Sequence, residues 1–334
     1  MTAYGECVAA NGPWYSEETI ASAKYIIKQL LAPIVLQEEI DSPASFIDRT
    51  KAIRGNNMAI ATVEMGLWDL MGKLSDTALS TLIGGEKKEV QVGVSVGIQP
   101  TVGNLLDNVE AYLNDGYRRI KIKIKPGYDL EPIKEIRKKY PKILLQVDAN
   151  SAYSLQDSKM LSELDKFNLL LIEQPLAHDD IIDHSKLQKL LNTPICLDES
   201  IHTVEDARKA IEIGACRIIN IKAGRMRGLV CSKNLHDLCR RRQIPVWCGG
   251  MLETGIGRAF NVALASLPGF TLPGDISASK RYFKRDIITK QFELTKDGTL
   301  KVPTAPGIGV YVDPKLLDAC TTSRETLTAQ QFRS

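Results

Sequence analysis

The chain has 334 residues, 44% hydrophobic and 25% charged, and its 43 Lys and Arg against 40 Asp and Glu leave a net charge of +3. That is the balance of a globular protein with a sizeable core, and it excludes a disordered tail or a collagen-like fibre. So small a basic surplus argues against a dedicated nucleic-acid binder, and Arg240-Arg241-Arg242 reads as a solvated helix end.

The first residues, Met1-Thr-Ala-Tyr-Gly-Glu6, carry neither a basic n-region nor an apolar h-region, so no signal peptide is expected. Ser16, followed by Glu17 and Glu18, predicts a helix start, because a hydroxyl cap and acidic first turn satisfy orphan amides. Ile20, Ile27 and Leu31 mark one face of that helix, and Pro33 is expected just beyond its last turn. A second helix is predicted from about Asn57 to Leu74, with Met58, Ala61, Met65, Trp68 and Met71 on its buried side. Gly84-Gly85 ends this region, and residues 1–89 read as a mostly helical flanking domain.

Beyond it, short apolar, β-branched runs recur, each ending in a polar residue or glycine. They are Val92–Val96, Arg119–Ile124, Ile143–Val147, Leu169–Ile172, Pro194–Leu197, Arg217–Ile221, Ile244–Cys248 and Phe270–Leu272. Amphipathic stretches such as Leu155–Leu164 and Val204–Ile213 lie between them. Strand and helix alternating at this pitch predict a parallel (β/α)8-type barrel over residues 90–292. The segment 293–334 is expected to return to the flanking domain.

In such a barrel the chemistry sits where the strands end. Those positions hold Lys123, Asp148, Glu173, Asp198 and Lys222, charged residues in phase with the repeat, where packing alone would place Val, Ile or Leu. Crowded carboxylates repel, and a divalent cation removes the conflict. All-oxygen ligation selects a hard ion, so Asp148, Glu173 and Asp198 are candidate ligands for Mg²⁺, with Mn²⁺ as the alternative. The four histidines, His178, His184, His202 and His236, show no zinc-ligand spacing and read as surface or loop residues. In Arg119-Ile-Lys-Ile-Lys-Ile-Lys125 the isoleucines should face the helices, so Lys121 and Lys123 point into the barrel. Lys222 ends a strand four further on and stands roughly opposite. A metal-bound carboxylate whose α-proton is taken by a lysine gives an enediolate; two opposed lysines permit racemisation, and one suffices for a syn elimination. Positive charge nearby should disfavour the protonated amines.

These residues fall within Lys121-Ile-Lys123, Val147-Asp-Ala-Asn150, Ile172-Glu-Gln-Pro-Leu176, Leu197-Asp-Glu-Ser200 and Asn220-Ile-Lys-Ala-Gly-Arg225. Trp247-Cys-Gly-Gly-Met-Leu-Glu-Thr-Gly255 and Leu272-Pro-Gly-Asp275 extend the pattern. Together they resemble the enolase superfamily, muconate-lactonising subgroup, and within it the o-succinylbenzoate synthase / N-succinylamino acid racemase family. The resemblance implies an α/β fold: an enolase-like barrel in the modified (β/α)7β form with an N-terminal α+β capping domain. It implies Lys123 and Lys222 as the acid/base pair, Asp148, Glu173 and Asp198 as Mg²⁺ ligands, and Asn150 and Glu199 holding ligand and lysine orientations. Ser95, Lys121, Arg225 and the Gly250-Met251-Leu252 loop are implied around the substrate, with Arg225 resembling the arginine of branches that racemise N-succinylamino acids.

The implied activity is dehydration of 2-succinyl-6-hydroxy-2,4-cyclohexadiene-1-carboxylate, a menaquinone-pathway step. Racemisation of N-succinylamino acids is the alternative. Dipeptide epimerisation or cycloisomerisation comes third, and outside catalysis stands a remnant that only binds carboxylates. The expected partner is a small carboxylate, with no nucleic acid and no membrane, in a cytoplasmic homo-oligomer. Seven cysteines without a Cys-x-x-Cys pair suit a reducing cytosol; Cys196, Cys216 and Cys248 read as small buried hydrophobes. The family's capping domain begins with two strands and a closing loop, whereas this sequence opens at Tyr4-Gly-Glu-Cys7, resembling the end of a third strand. The expectation is therefore a shortened capping domain, a Tyr4–Val8 strand with an unpaired edge, and weak activity. The Gly12-Pro-Trp-Tyr15 loop should still cover the site.

Overall fold

The computed structural model describes residues 1–332; the last two positions of the 293–334 segment lie outside it. Residues 1–88 contain helices α1 (Ile20–Ile26), α2 (Ala32–Gln37), α3 (Pro43–Arg49), α4 (Asn57–Leu74) and α5 (Leu79–Leu82). The first helix starts at Thr19, whose side chain and that of Ser22 cap each other's amides, and not at Ser16. Nor does Pro33 lie beyond the helix. It sits in the first turn of α2, after one wide turn at Ile27–Leu31. A proline ring clashes with the carbonyl four residues back, and a widened turn accommodates it without ending the helix. On α4, Met58, Ala61 and Met65 are buried as expected, while Trp68 and Met71 are half-buried. Among the described residues this region has no strand, only the single bridges Ala10–Thr19 and Ala78–Gly307, so the expected Tyr4–Val8 strand is corrected. Helical partners take its polar groups instead: the Tyr4 amide donates to Asp69 Oδ2 at 2.8 Å.

The barrel wall is one parallel sheet of seven strands in chain order. It follows a short antiparallel pair in which β1 (Glu89–Gln91) meets β9 (Thr299–Lys301). The wall runs β2 (Val94–Val96), β3 (Arg119–Lys123), β4 (Leu144–Asp148), β5 (Ile172–Glu173), β6 (Ile195–Leu197), β7 (Ile218–Ile221) and β8 (Val246–Cys248). Helices α6 (Val102–Asn114), α7 (Leu130–Lys139), α8 (Ser158–Glu163), α9 (Ile182–Leu190), α10 (Val204–Glu212), α11 (Leu229–Arg241) and α12 (Gly255–Ala265) pack outside it, and α13 (Pro314–Cys320) follows β9. The eighth run, Phe270–Leu272, is not a strand. It and the residues after it close the barrel through single bridges, Val246–Phe270 and Val92–Gly274. Pro268, Pro273 and the glycines around it interrupt any longer ladder.

Ile120, Ile122 and Ile124 are buried on the outer face, leaving Arg119, Lys121 and Lys123 to point inward. The barrel interior holds a small apolar plug of Leu171, Cys196, Ile218 and Trp247 beneath the charged rim. Two of the four histidines contradict the surface reading. His184 and His236 are buried, His184 accepting from the Leu176 amide and His236 from the Gly269 amide.

Acidic side chains lock the helical region onto the barrel. Glu64 on α4 accepts from the amides of Leu229 and Val230, at 2.9 and 2.8 Å, and so caps α11. Glu6 does the same for α12, accepting from the Thr254 and Gly257 amides at 2.8 and 2.7 Å. A carboxylate at a helix N-terminus satisfies orphan amides and meets the positive end of the helix dipole. The chain's later residues return to the same region, where Ile308 donates to Asp69 and Lys24 to Ser323.

Candidate active site

Parallel pairing aligns the strand ends. Lys123 stands opposite Asp148, and Asp148 opposite Glu173; Asp198 follows β6 and Lys222 follows β7 directly. All three carboxylates are buried. Each is held by cations. Lys123 Nζ lies 2.6 Å from Asp148 Oδ2, and Lys222 Nζ 2.8 Å from Asp198 Oδ2. Arg225 pairs with Asp198 Oδ1, and Lys121 reaches Glu173 Oε2 at 2.8 Å and Asp148 Oδ2 at 3.1 Å. Asn220 Nδ2 donates to the other Glu173 oxygen at 2.9 Å.

The charges around each group set its proton affinity. Burial pushes Asp148 and Asp198 up, but the neighbouring lysines and Arg225 outweigh it and hold both well below the usual carboxylate range. Glu173 goes the other way, raised by burial and by Asp148. Burial alone would lower Lys222, yet Asp198 and Tyr15 hold it above its ordinary value. At Lys121 and Lys222 the surrounding carboxylates hold the amine protons.

Asn150 and Glu199 join the cluster. Lys123 donates to Asn150 Oδ1, and Asn150 Nδ2 donates to Glu199 Oε1 at 2.7 Å. Asn150 holds a left-handed backbone (φ 40°) that aims its amide between the two. Arg225 donates to the carbonyls of Ile201 and Asn220, both at 2.6 Å, so its guanidinium is fixed from behind. Ser95, Gly250, Met251 and Leu252 are not drawn into this network. Ser95 is half-buried in the middle of β2, Met251 packs against the helical region, and Leu252 is 75% exposed.

Reasoning from the sequence missed three participants. Tyr15, on the loop read only as a cover, enters the cluster itself: its hydroxyl accepts from Lys222 at 3.0 Å and Arg225 at 2.9 Å and donates to Asp198 at 3.1 Å. Arg119 and Asp275 form a buried ion pair beside Lys121. Asp275 ends the Leu272-Pro-Gly-Asp275 motif and Arg119 begins the alternating run, so both were legible in the sequence. Nothing local marks Tyr15.

The donor set suits a hard cation: three carboxylates on adjacent strands, oxygen only, repelling one another. As the side chains stand, no three acidic, histidine or cysteine groups among the described residues converge on a common point. Their oxygens are turned to Lys121, Lys123, Lys222 and Arg225. An ion would be held by Asp148, Glu173 and Asp198 after those contacts loosen.

Two family models match, Enolase C-terminal domain-like over residues 104–316 and Mandelate racemase / muconate lactonizing enzyme, N-terminal domain, over residues 1–84. The chain belongs to the enolase superfamily. It is 52% identical to an o-succinylbenzoate synthase of Geobacillus kaustophilus, across 96% of this chain and 85% of that one. It is 46% identical to an N-succinylamino acid racemase of Thermus thermophilus, across 97% and 88%. A solved enolase-superfamily structure from Listeria innocua superposes with a TM-score of 0.93 at 46% identity, covering 96% of this chain and 86% of that one. The fold is thus enolase-like, with the capping domain present and a curled parallel wall of seven strands. No described helix is long and apolar enough to cross a membrane.

Proposed function

We propose that this enzyme is an o-succinylbenzoate synthase, dehydrating 2-succinyl-6-hydroxy-2,4-cyclohexadiene-1-carboxylate. The observation that carries the proposal is Lys123 on β3 and Lys222 after β7, flanking carboxylates on the three strands between them. The similarity to named synthases supports it. Asp148, Glu173 and Asp198 would hold Mg²⁺, which when bound supplies positive charge to a substrate carboxylate and acidifies the adjacent C–H. Lys123 Nζ takes that α-proton. In a syn elimination the same ammonium returns the proton to the departing hydroxyl, so a C–H and a C–O bond break and water leaves. Asn150 holds the Lys123 amine in place through the move, and Lys222 opposes it with a fixed positive charge.

A second reading, racemisation of N-succinylamino acids, draws on Lys222 and Arg225. A proton delivered to the opposite face requires an amine there, and Lys222, Tyr15 and Arg225 form one contiguous group. The seven free cysteines support a cytosolic setting. The test is turnover of both substrates with Mg²⁺ and after chelation. Metal-dependent formation of o-succinylbenzoate is expected. Absence of product with Mg²⁺ supplied overturns the synthase reading, and racemisation alone selects the second.

A further inference from the structure

We propose that Asp275 is a positioning residue of this site. Acting through Lys121 and Arg119, it fixes the Lys121 ammonium as a standing counter-charge to Asp148 and Glu173, leaving Lys123 free for the proton. The proposal deepens the reading above and rests on it for the reaction, though not for the contact itself.

Lys121 Nζ has three N–H bonds and three carboxylate neighbours. The shortest approach, 2.6 Å, is to Asp275 Oδ2, which does not belong to the strand-end triad. Glu173 and Asp148 follow at 2.8 and 3.1 Å. Asp275 is thus the dominant partner, and what it takes of the ammonium's charge is withheld from the triad. Its second oxygen lies 2.6 Å from Arg119 Nη1, an ion pair by distance that is poorly aligned as a hydrogen bond. The contact is electrostatic more than directional. Arg119 is anchored independently, donating to the Pro273 carbonyl at 3.1 Å. Trp247 floors the assembly, its ring 5.6 Å from the Arg119 guanidinium and 5.0 Å from Lys121 Nζ.

The backbone is shaped for this contact. Asp275 lies in the segment that closes the barrel, its amide donating to the Cys248 carbonyl at 2.9 Å. Arg119 starts two strands away, and its side chain crosses β2's side of the seam at Gly93. A Cβ on Gly93 would stand 2.4 Å from the guanidinium carbon. The Gly250 loop closes over the same node, since a Cβ there would meet the Asp275 carbonyl oxygen at 2.3 Å. Without the Asp275 charge, two buried cations would face each other. Lys121 would then swing fully onto Glu173 and Asp148, where it competes with any ion those carboxylates hold.

Asp275→Asn keeps the shape and removes the charge. The experiment uses the full chain, titrating Mg²⁺ calorimetrically without substrate and measuring kcat and KM separately. The expected result is a folded protein with at least a tenfold higher Mg²⁺ Kd and a kcat lowered more than KM is raised. Asp275→Glu should recover part of the metal affinity. An Asn variant that is folded, binds Mg²⁺ like the parent and turns over at the parent's kcat overturns the proposal, because a merely structural strap would lower only Tm. A second measurement stands apart from the metal. In the metal-free chain, Arg119→Met and Asp275→Asn should each lower Tm, and the double variant should lie above the sum of the two. Strict additivity overturns the clasp. A parent chain that binds no Mg²⁺ and makes no product overturns the synthase reading instead, and the thermal cycle then decides the clasp alone.

Discussion

The barrel wall has two unlike parts. From β3 to β7 every strand hydrogen-bonds to the next in register, and the functional groups sit one per strand end at nearly constant spacing. Between β8 and β2 the closing segment touches its neighbours through single bridges, and a buried ion pair spans the gap. Where backbone pairing is regular, side chains are released for chemistry. Where it lapses, charged side chains take part in holding the wall, and the same residues reach the site from below. Charged side chains thereby bridge the seam where pairing lapses, and along the regular wall they face the proposed site.

The largest effect expected of this division is at Lys123. Lys123→Ala should lower kcat/KM by about 10⁴-fold with Tm nearly unchanged, since general-base contributions reach that size and the side chain is partly exposed at the rim. Paired kinetics and thermal scans check it; a large loss of Tm would mean the regular wall also depends on its charges.

At the seam the balance should reverse. Gly93→Ala places a methyl where the Arg119 guanidinium lies, and overpacking of this kind costs about 1–3 kcal/mol. Ile122→Val, in the regular wall, removes one methyl from a fully buried side chain and should cost about 1 kcal/mol. Urea unfolding of the two variants compares them. Equal costs, or a harmless alanine, would show that the seam has slack.

This contrast also explains what the sequence disclosed. Lys123, Asp148, Glu173, Asp198 and Lys222 were legible because regular pairing converts spacing along the chain into adjacency in space. Phe270–Leu272 has a strand's composition but lacks a strand's partners, and periodicity cannot see partners. Tyr15 enters the site across 183 residues of sequence from Asp198, on a loop whose composition signals only a turn. His184 and His236 were misread because each buried imidazole is satisfied by a backbone amide and a neighbouring acid, partners that composition does not reveal.

The region that covers the barrel differs from both parts of the wall. Glu64 is fully enclosed, and burial pushes its carboxyl up to about 7. Its unfolded value is near 4.5, so the folded state binds the proton more tightly. The stability this contributes is complete below about pH 4.5 and disappears as pH rises through 7, a change of about 2 kcal/mol between pH 5 and 8. Buried His184, lowered by desolvation, acts in the opposite sense below its ordinary range. The difference between the parent and Glu64→Gln at each pH isolates the glutamate. A flat difference would show that the two capped amides, and not burial, govern its ionisation. The smallest effect belongs to Trp14, which is 89% exposed: Trp14→Ala should alter stability by less than about 0.5 kcal/mol.

The glutamates that plug α11 and α12 bear on how such proteins can be recombined. A covering region transplanted from a relative would bring its own loops over the pocket, but it would seat only if it presents acidic side chains at the two helix mouths that Glu6 and Glu64 now fill. Those two residues therefore work as a mating standard between interchangeable parts. A library of chimeras filtered for them would spend its diversity on the mouth of the pocket and leave the joint intact.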